Sequence, residues 1–224
     1  MLKAIIFDFD GVLADTEPLH FTMFRRVLQD EGLPLSERDY YQKYVGFDDK
    51  SCFHAILTEH GRPAPPETIQ QLVERKATMM LEHLTTASVV YPGVVEFVKN
   101  VTGRHRLAIV SGALRHEIEL ILKTAGMRDD FEHITAAEDV LNGKPAPEGY
   151  LHALRSLARH APLQASECLV IEDTPFGIQA AHAAGMRCLA VSTTFPPDRL
   201  GIADAVTATL NSDALEPLVR RFWS

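Results

Sequence analysis

The chain is poor in cysteine: Cys52, Cys168 and Cys188 are the only three in 224 residues, and none is spaced as a metal pair or a disulfide framework. With no thiol scaffold, a reducing cytoplasm is the expected compartment. Basic residues are also short, 22 Lys and Arg against 30 Asp and Glu, for a formal net charge of -8. Nucleic acid and anionic membrane surfaces recruit basic proteins, so this balance argues against either as the main partner. No apolar run approaches the ~20 residues needed to cross a bilayer, and no basic n-region with a cleavage site precedes the first apolar stretch. Neither an anchor nor a leader is expected, and internal repeats and low-complexity tracts are missing too. What remains is ordinary soluble composition, 46% hydrophobic and 23% charged, long enough for one domain or a core with a small insertion. A monomer is the default expectation.

The chain opens on Ala4-Ile5-Ile6-Phe7, which ends abruptly in Asp8-Phe9-Asp10-Gly11. A short apolar run of this kind reads as a strand buried on both faces, and in a parallel sheet the ligand crevice lies beyond the carboxyl ends of the strands. Next, Asp15-Thr16-Glu17-Pro18 supplies a helix start, with Thr16 or Asp15 as cap, and Gly32-Leu33-Pro34 stops that helix. From Ser36 to about Leu84 the apolar residues Phe53, Ile56 and Leu57, then Ile69, Leu72 and Val73, recur at helical spacing. Pro63-Ala64-Pro65-Pro66 divides that stretch into at least two helices, so the chain from Thr16 to about Thr86 reads as a compact helical insertion. Beyond it strands and helices alternate, from Val89-Val90-Tyr91-Pro92-Gly93 onward. Strands are expected over 107–110, 133–135, 168–171, 188–191 and 205–206, and helices over 94–101, 115–125, 147–159 and 177–184. This alternation implies an α/β fold, a parallel sheet with helices on both faces.

Three expected strands end in polar residues: Asp8 and Asp10, then Ser111-Gly112, then Glu172-Asp173. One such end is usually a turn or a helix cap. Three on one sheet edge, joined by Lys144-Pro145 in a loop before a helix, are the parts that phosphoryl transfer needs. A phosphate ester repels an attacking carboxylate, so several negative oxygens share a site only when a divalent cation and a lysine offset them. Asp8, Asp10, Glu172 and Asp173 are suited to Mg²⁺, a hard cation that prefers oxygen, and Lys144 adds positive charge. Ser111, followed by Gly112 at the approach to a helix, offers a hydroxyl and backbone N–H groups to phosphoryl oxygens.

The ordered set Asp8-Phe9-Asp10-Gly11, Ser111-Gly112, Lys144-Pro145 and Ile171-Glu172-Asp173-Thr174-Pro175-Phe176-Gly177-Ile178 resembles the four motifs of the haloacid dehalogenase superfamily. Within it the chain is similar to the β-phosphoglucomutase and CbbY-like branch, almost from end to end. The resemblance implies a Rossmann-like core over 1–15 and 87–224 with an inserted helical cap over 16–86. It implies that Asp8 is the nucleophile that forms an aspartyl-phosphate, and Asp10 the general acid and base whose backbone carbonyl also faces the metal. Ser111 and Lys144 would hold the phosphoryl oxygens, with Gly112 and Ala113 beside them, and Asp173 with Glu172 would complete a Mg²⁺ shell. Thr16, His20, Gly46 and Lys76 fit the branch's substrate-facing positions, as Tyr91-Pro92-Gly93 fits the return to the core.

The chain also departs from the branch. Around Gly46 it reads Tyr44-Val45-Gly46-Phe47-Asp48-Asp49-Lys50, with Val45 and Asp49 where the mutase carries basic residues for a second phosphate. After Ser111 it reads Gly112-Ala113-Leu114-Arg115, where Arg115 either substitutes for a distal-phosphate lysine or faces solvent. Lys50 is offset from the imine-forming lysine of a phosphonatase, and Asp10 argues against that chemistry. The expected activity is therefore a Mg²⁺-dependent phosphatase acting on a small phosphorylated metabolite, a sugar phosphate. The alternatives are a phosphomutase and a non-catalytic protein that binds a phosphorylated ligand or a partner.

Overall fold

The computed structural model describes residues 1–84, 89–159 and 161–223, with the backbone alone for 212–214. In chain order the main elements are β1 (Ala4–Phe7), α1 (Glu17–Asp30), α2 (Glu37–Asp39), α3 (Asp49–Glu59), α4 (Pro66–Leu84), α5 (Val94–Val101) and β2 (Arg106–Val110). There follow α6 (Arg115–Thr124), β3 (His133–Thr135), α7 (Glu148–Ala158), β4 (Cys168–Glu172), α8 (Pro175–Ala183), β5 (Arg187–Val191), β6 (Ala205–Thr207) and α9 (Ser212–Phe222).

The uniform apolarity of β1 follows from its place. Successive side chains of a strand point to opposite faces, and both faces here are covered. Ile5 and Phe7 enter one layer with Phe97 of α5, Ile118 and Leu122 of α6 and Leu215 of α9. Ala4 and Ile6 enter the other with Tyr150 and Ala153 of α7 and Ile178 of α8. The Phe7 ring meets Phe97 and Phe131 edge-on, with centroids 6.2 and 5.8 Å apart. All six strands run parallel in the order β3-β2-β1-β4-β5-β6. The chain first builds outward through β2 and β3 and then returns to the other side of β1, so the strand order reverses there, the position where ligands enter open α/β sheets. Phe7 pairs with Ile109 on one side and Ile171 on the other, which brings Asp8, Ser111 and Glu172 out at one edge.

Two features differ from the sequence reading. Val90 forms only an isolated bridge with Ala14. The C-terminal helix α9 was not anticipated, because Pro217 lies inside it and interrupts its helical signal. Leu215 and Leu218 hold it on the sheet by burial. The expected return from the insertion, between 86 and 87, lies outside the described residues. Among the described residues no helix is long and apolar enough to cross a membrane.

The helices between β1 and β2 enclose a third apolar cluster that includes Phe24, Val27 and Leu28 of α1, Phe53 and Ile56 of α3, and Leu72 and Val73 of α4. A short turn, Glu37–Asp39, runs directly into a π-helical turn at Tyr40–Tyr44, whose Tyr40 and Tyr44 also enter that cluster. This segment meets the sheet unit through buried charge. Lys76 of α4 is wholly enclosed, and its ammonium bonds both Asp49 oxygens at 2.7 and 2.9 Å and His20 Nδ1 at 2.8 Å, 4.6 Å from the centre of the Phe24 ring. Burial alone would lower the Lys76 pKa, but the charges of Asp49 and Glu117 hold it above its ordinary value. Glu117, in the first turn of α6, faces this group from the sheet side, and neither of its buried carboxylate oxygens has a hydrogen-bond partner.

Burial raises the Glu117 pKa from 4.5 to about 7, against the pull of Lys76 and His20. A carboxyl whose folded pKa exceeds its unfolded value binds protons more tightly in the native state. Its contribution therefore falls as pH rises between those two values and is level below both. Glu117→Gln removes this titration. Urea unfolding at pH 5 and pH 8 is expected to show the variant gaining about 1–3 kcal/mol on wild type between the two pH values. An unchanged difference would mean that Glu117 is not proton-linked to folding.

Candidate active site

Asp8 extends β1 by one residue, its N–H donating to the Ile171 carbonyl at 2.8 Å, so the ladder itself places its carboxylate at the sheet edge. Lys144 reaches it from the loop before α7, with Nζ 2.7 Å from Asp8 Oδ1 and 2.6 Å from Glu172 Oε1. Burial drives the Asp8 pKa up. The Lys144 ammonium opposes that shift, while the charges of Glu172 and Asp10 add to it. Lys144 moves in the favourable sense: burial works against its charge, yet Asp8 and Glu172 together raise its pKa.

Asp10 experiences the opposite balance. The Thr16 hydroxyl donates to Oδ1, the Ser111 hydroxyl donates to Oδ2 at 3.1 Å, and His20 Nε2 lies 3.5 Å from Oδ1. Burial would raise the pKa, but His20 and the two hydroxyls overcome it and hold Asp10 at about 2. Thr16 stands at the N-cap of α1, yet its hydroxyl caps nothing there and is directed to Asp10 instead. Ser111 Oγ also accepts the Ala113 N–H at 2.9 Å, which fixes the turn that leads into α6.

Glycine is obligatory at two points. Gly11 has φ +76°, and a Cβ there would stand 1.9 Å from Asp173 Oδ2. A Cβ on Gly177 would stand 1.6 Å from Glu172 Oε1. Thr174 caps α8 by accepting the Gly177 N–H at 3.0 Å, with Pro175 as the first helical residue. The result is a helix start pressed directly onto the acidic pair.

Asp8, Glu172 and Asp173 offer oxygens that lie within 4.8 Å of one another. Glu172 is fully engaged. Oε1 accepts from Lys144 and, at 3.3 Å, from Tyr150, while Oε2 accepts the backbone N–H groups of Asp173 and Thr174 and the Thr174 hydroxyl. Asp173 Oδ1 is buried without a partner, and burial, Glu172 and Asp8 together push the Asp173 pKa well up. An orphaned buried oxygen amid like charges fits a hard divalent cation, with Asp8 and Asp173 as the carboxylates free to ligate and Glu172 bracing them. The Asp10 carboxylate is occupied by Thr16, Ser111 and His20, which leaves its backbone carbonyl as the group to consider.

A cavity of about 240 Å³ opens above Asp8. Its wall includes Asp8, Asp10, His20, Gly46, Ser111, Gly112, Ala113 and Lys144 from the expected set. Thr16, Glu172 and Asp173 lie behind the wall. Lys76 was expected to touch substrate, but it too lies behind the wall, because Asp49 and His20 enclose its ammonium. Arg115 does not face the cavity. Its guanidinium binds Asp139 and, at 3.1 Å, the Ile134 carbonyl. The helical segment closes the far side. Asp48 packs on Gly112, where a Cβ would meet the Asp48 Cα at 3.4 Å, and the Phe47 ring meets Phe176 at 6.0 Å. Sequence reasoning missed Glu117 and Tyr150. The signal for Glu117 was a lone carboxylate on the apolar face of α6, beside Ile118 and one turn before Ile121.

Residues 5–191 match the family model described as haloacid dehalogenase-like hydrolase. The fructose-1-phosphate phosphatase YqaB of Escherichia coli is 32% identical over 185 residues, 81% of this chain and 92% of that protein. Protein CbbY of Rhodobacter capsulatus is 33% identical over 195 residues, 83% of each chain. Among solved structures, the β-phosphoglucomutase of Clostridium difficile superposes with a TM-score of 0.88, covering 99% of both chains at 23% identity, a likeness of fold. Since the matched stretch contains β1, β2 and β4 and the acidic edge that they carry, the chain belongs to the haloacid dehalogenase-like hydrolase family.

Proposed function

We propose that the enzyme is a Mg²⁺-dependent phosphatase that hydrolyses a small sugar phosphate through a phosphoryl group held on Asp8. The observation that carries this reading is the contrast between two carboxylates two residues apart. Asp8 is bound to Lys144 at 2.7 Å, and Asp10 is held by Thr16, Ser111 and His20. Lys144 holds Asp8 at the open edge of the sheet as the nucleophile, while three neighbours orient Asp10 for proton transfer. The names of the relatives supply the substrate class: a fructose-1-phosphate phosphatase, and a phosphorylated carbohydrates phosphatase of Thermotoga maritima that is 30% identical.

In the first step an Asp8 oxygen bonds to phosphorus as the bond to the leaving oxygen breaks, and Asp10, ionised at rest but raised in proton affinity by the negative charge of the bound phosphate, takes up a proton from solvent and gives it to that alkoxide. In the second, Asp10 takes a proton from water, the water oxygen bonds to phosphorus, and the bond to Asp8 breaks. Ser111 and Lys144 hold phosphoryl oxygens throughout, and residues 16–86 act as a cap that keeps bulk water out. Mg²⁺ held by Asp8, Asp173 and the Asp10 carbonyl would offset the repulsion between Asp8 and the incoming phosphate. The free buried cysteines fit a reducing, cytoplasmic compartment.

Phosphate release from a panel of sugar phosphates is expected with Mg²⁺, to vanish with EDTA and to return on adding excess Mg²⁺. Silence toward every phosphate ester with Mg²⁺ present would refute the reading. Asp8→Asn should lower kcat by about 10³-fold or more, and Asp10→Asn by about 10²–10⁴-fold, each with an unchanged circular dichroism spectrum. Near-wild-type turnover by either variant would assign the chemistry elsewhere.

A further inference from the structure

We infer that the cavity rejects a second phosphate and selects singly phosphorylated substrates with an uncharged, hydroxyl-rich body. The inference rests on the phosphatase reading and concerns the same cavity. Apart from the reacting groups, the wall carries Glu17, Asp48 and Asp49 from the helical segment and Glu138 from the sheet unit. Three of the cations nearby are already paired with carboxylates. Lys144 lies between Asp8 and Glu172. Lys76 is enclosed behind Asp49, which binds it with both oxygens, and is faced from the other side by Glu117. Arg115 is held by Asp139. Among the described residues, the wall cations left are His20, which lies against Asp10, and the exposed Lys50.

The N-terminus of α3 points the same way. Free N–H groups at a helix start make a ready anion seat. Here that seat is filled by the protein, because Asp48 accepts the Ser51 N–H at 2.9 Å and the Ser51 hydroxyl at 2.8 Å, with Asp49 next to it. Asp48 also reaches the loop beside Lys144: a Cβ on Gly143 would stand 2.7 Å from its Oδ2. A dianionic group carried by the far end of a substrate would therefore meet carboxylates, whereas sugar hydroxyls would meet acceptors to which they can donate. A mutase cycle primed by a bisphosphate would have to place its second phosphate against this wall.

The test uses a matched pair, D-fructose 1-phosphate and D-fructose 1,6-bisphosphate, which differ only in the second phosphate. Their Kd values are measured by calorimetry with Mg²⁺ on Asp8→Asn, so that binding is read apart from turnover. The monophosphate is expected to bind about 100-fold more tightly. Adding Asp48→Asn or Asp49→Asn should narrow that ratio by about 10-fold, chiefly by tightening the bisphosphate. Asparagine still caps α3, so Asp48→Asn keeps the test valid even if Asp49→Asn, which strips Lys76 of its counter-ion, fails to fold. Equal affinities, binding of neither ligand, or a ratio that neither variant moves would overturn the inference. Failure of the phosphatase reading is seen separately, as a wild-type protein that shows this preference but releases no phosphate.

Discussion

One lysine bridging two carboxylates from adjacent strands is the interaction on which the acidic edge depends. Asp8 ends β1 and Glu172 ends β4, and in a parallel sheet their backbones cannot move apart to relieve like charge. Lys144 lies within 2.7 Å of both. It is itself kept charged by that pair, so each ion justifies the burial of the others. The arrangement still leaves more negative than positive charge, because Asp173 is buried next to it with an oxygen that bonds to nothing. The protein alone does not satisfy this edge, and that deficit is the observation behind the proposed cation site.

The two sides of the cavity are built differently. On the sheet side, backbone hydrogen bonds and strand register fix Asp8 and Glu172, and even Asp10 is oriented by a residue that would ordinarily cap a helix. On the helical side, the wall consists of side chains from a short loop whose negative charge is balanced internally, Asp49 against Lys76. The family resemblance describes the first side closely. It describes the second poorly, because a position that carries a base in the mutase carries an acid here.

That contrast also explains what could be read from the sequence. The parallel sheet, the strand ends and the edge that joins Asp8, Asp10, Ser111, Lys144 and Asp173 were legible because they follow from local patterns: apolar runs closed by polar residues, and turn residues at fixed offsets. The full engagement of Glu172 was not, since besides the adjacent backbone N–H groups its oxygens are claimed by Lys144 and Tyr150, which only tertiary packing brings near. Lys76 sits in the charged run Glu74-Arg75-Lys76, and nothing within those three residues tells the buried ammonium from the half-buried Arg75 and the exposed Glu74. Its burial is decided by Asp49 and His20, both distant in the chain. The helix α9 was obscured by a proline whose local penalty is outweighed by packing on the sheet.

The glycines at 11 and 177 leave no space between backbone and carboxylate, so the sheet side of the site tolerates almost no change in shape. The loop at 46–51 faces it with fewer such contacts, although Gly46, at φ +86°, and Asp49, the partner of buried Lys76, are fixed. A lineage with this architecture can alter the cavity wall by editing part of one short loop while the acidic edge of the sheet is kept intact. New substrate ranges are then reached through single substitutions on one side of the cavity, which makes that loop the natural target for redesign.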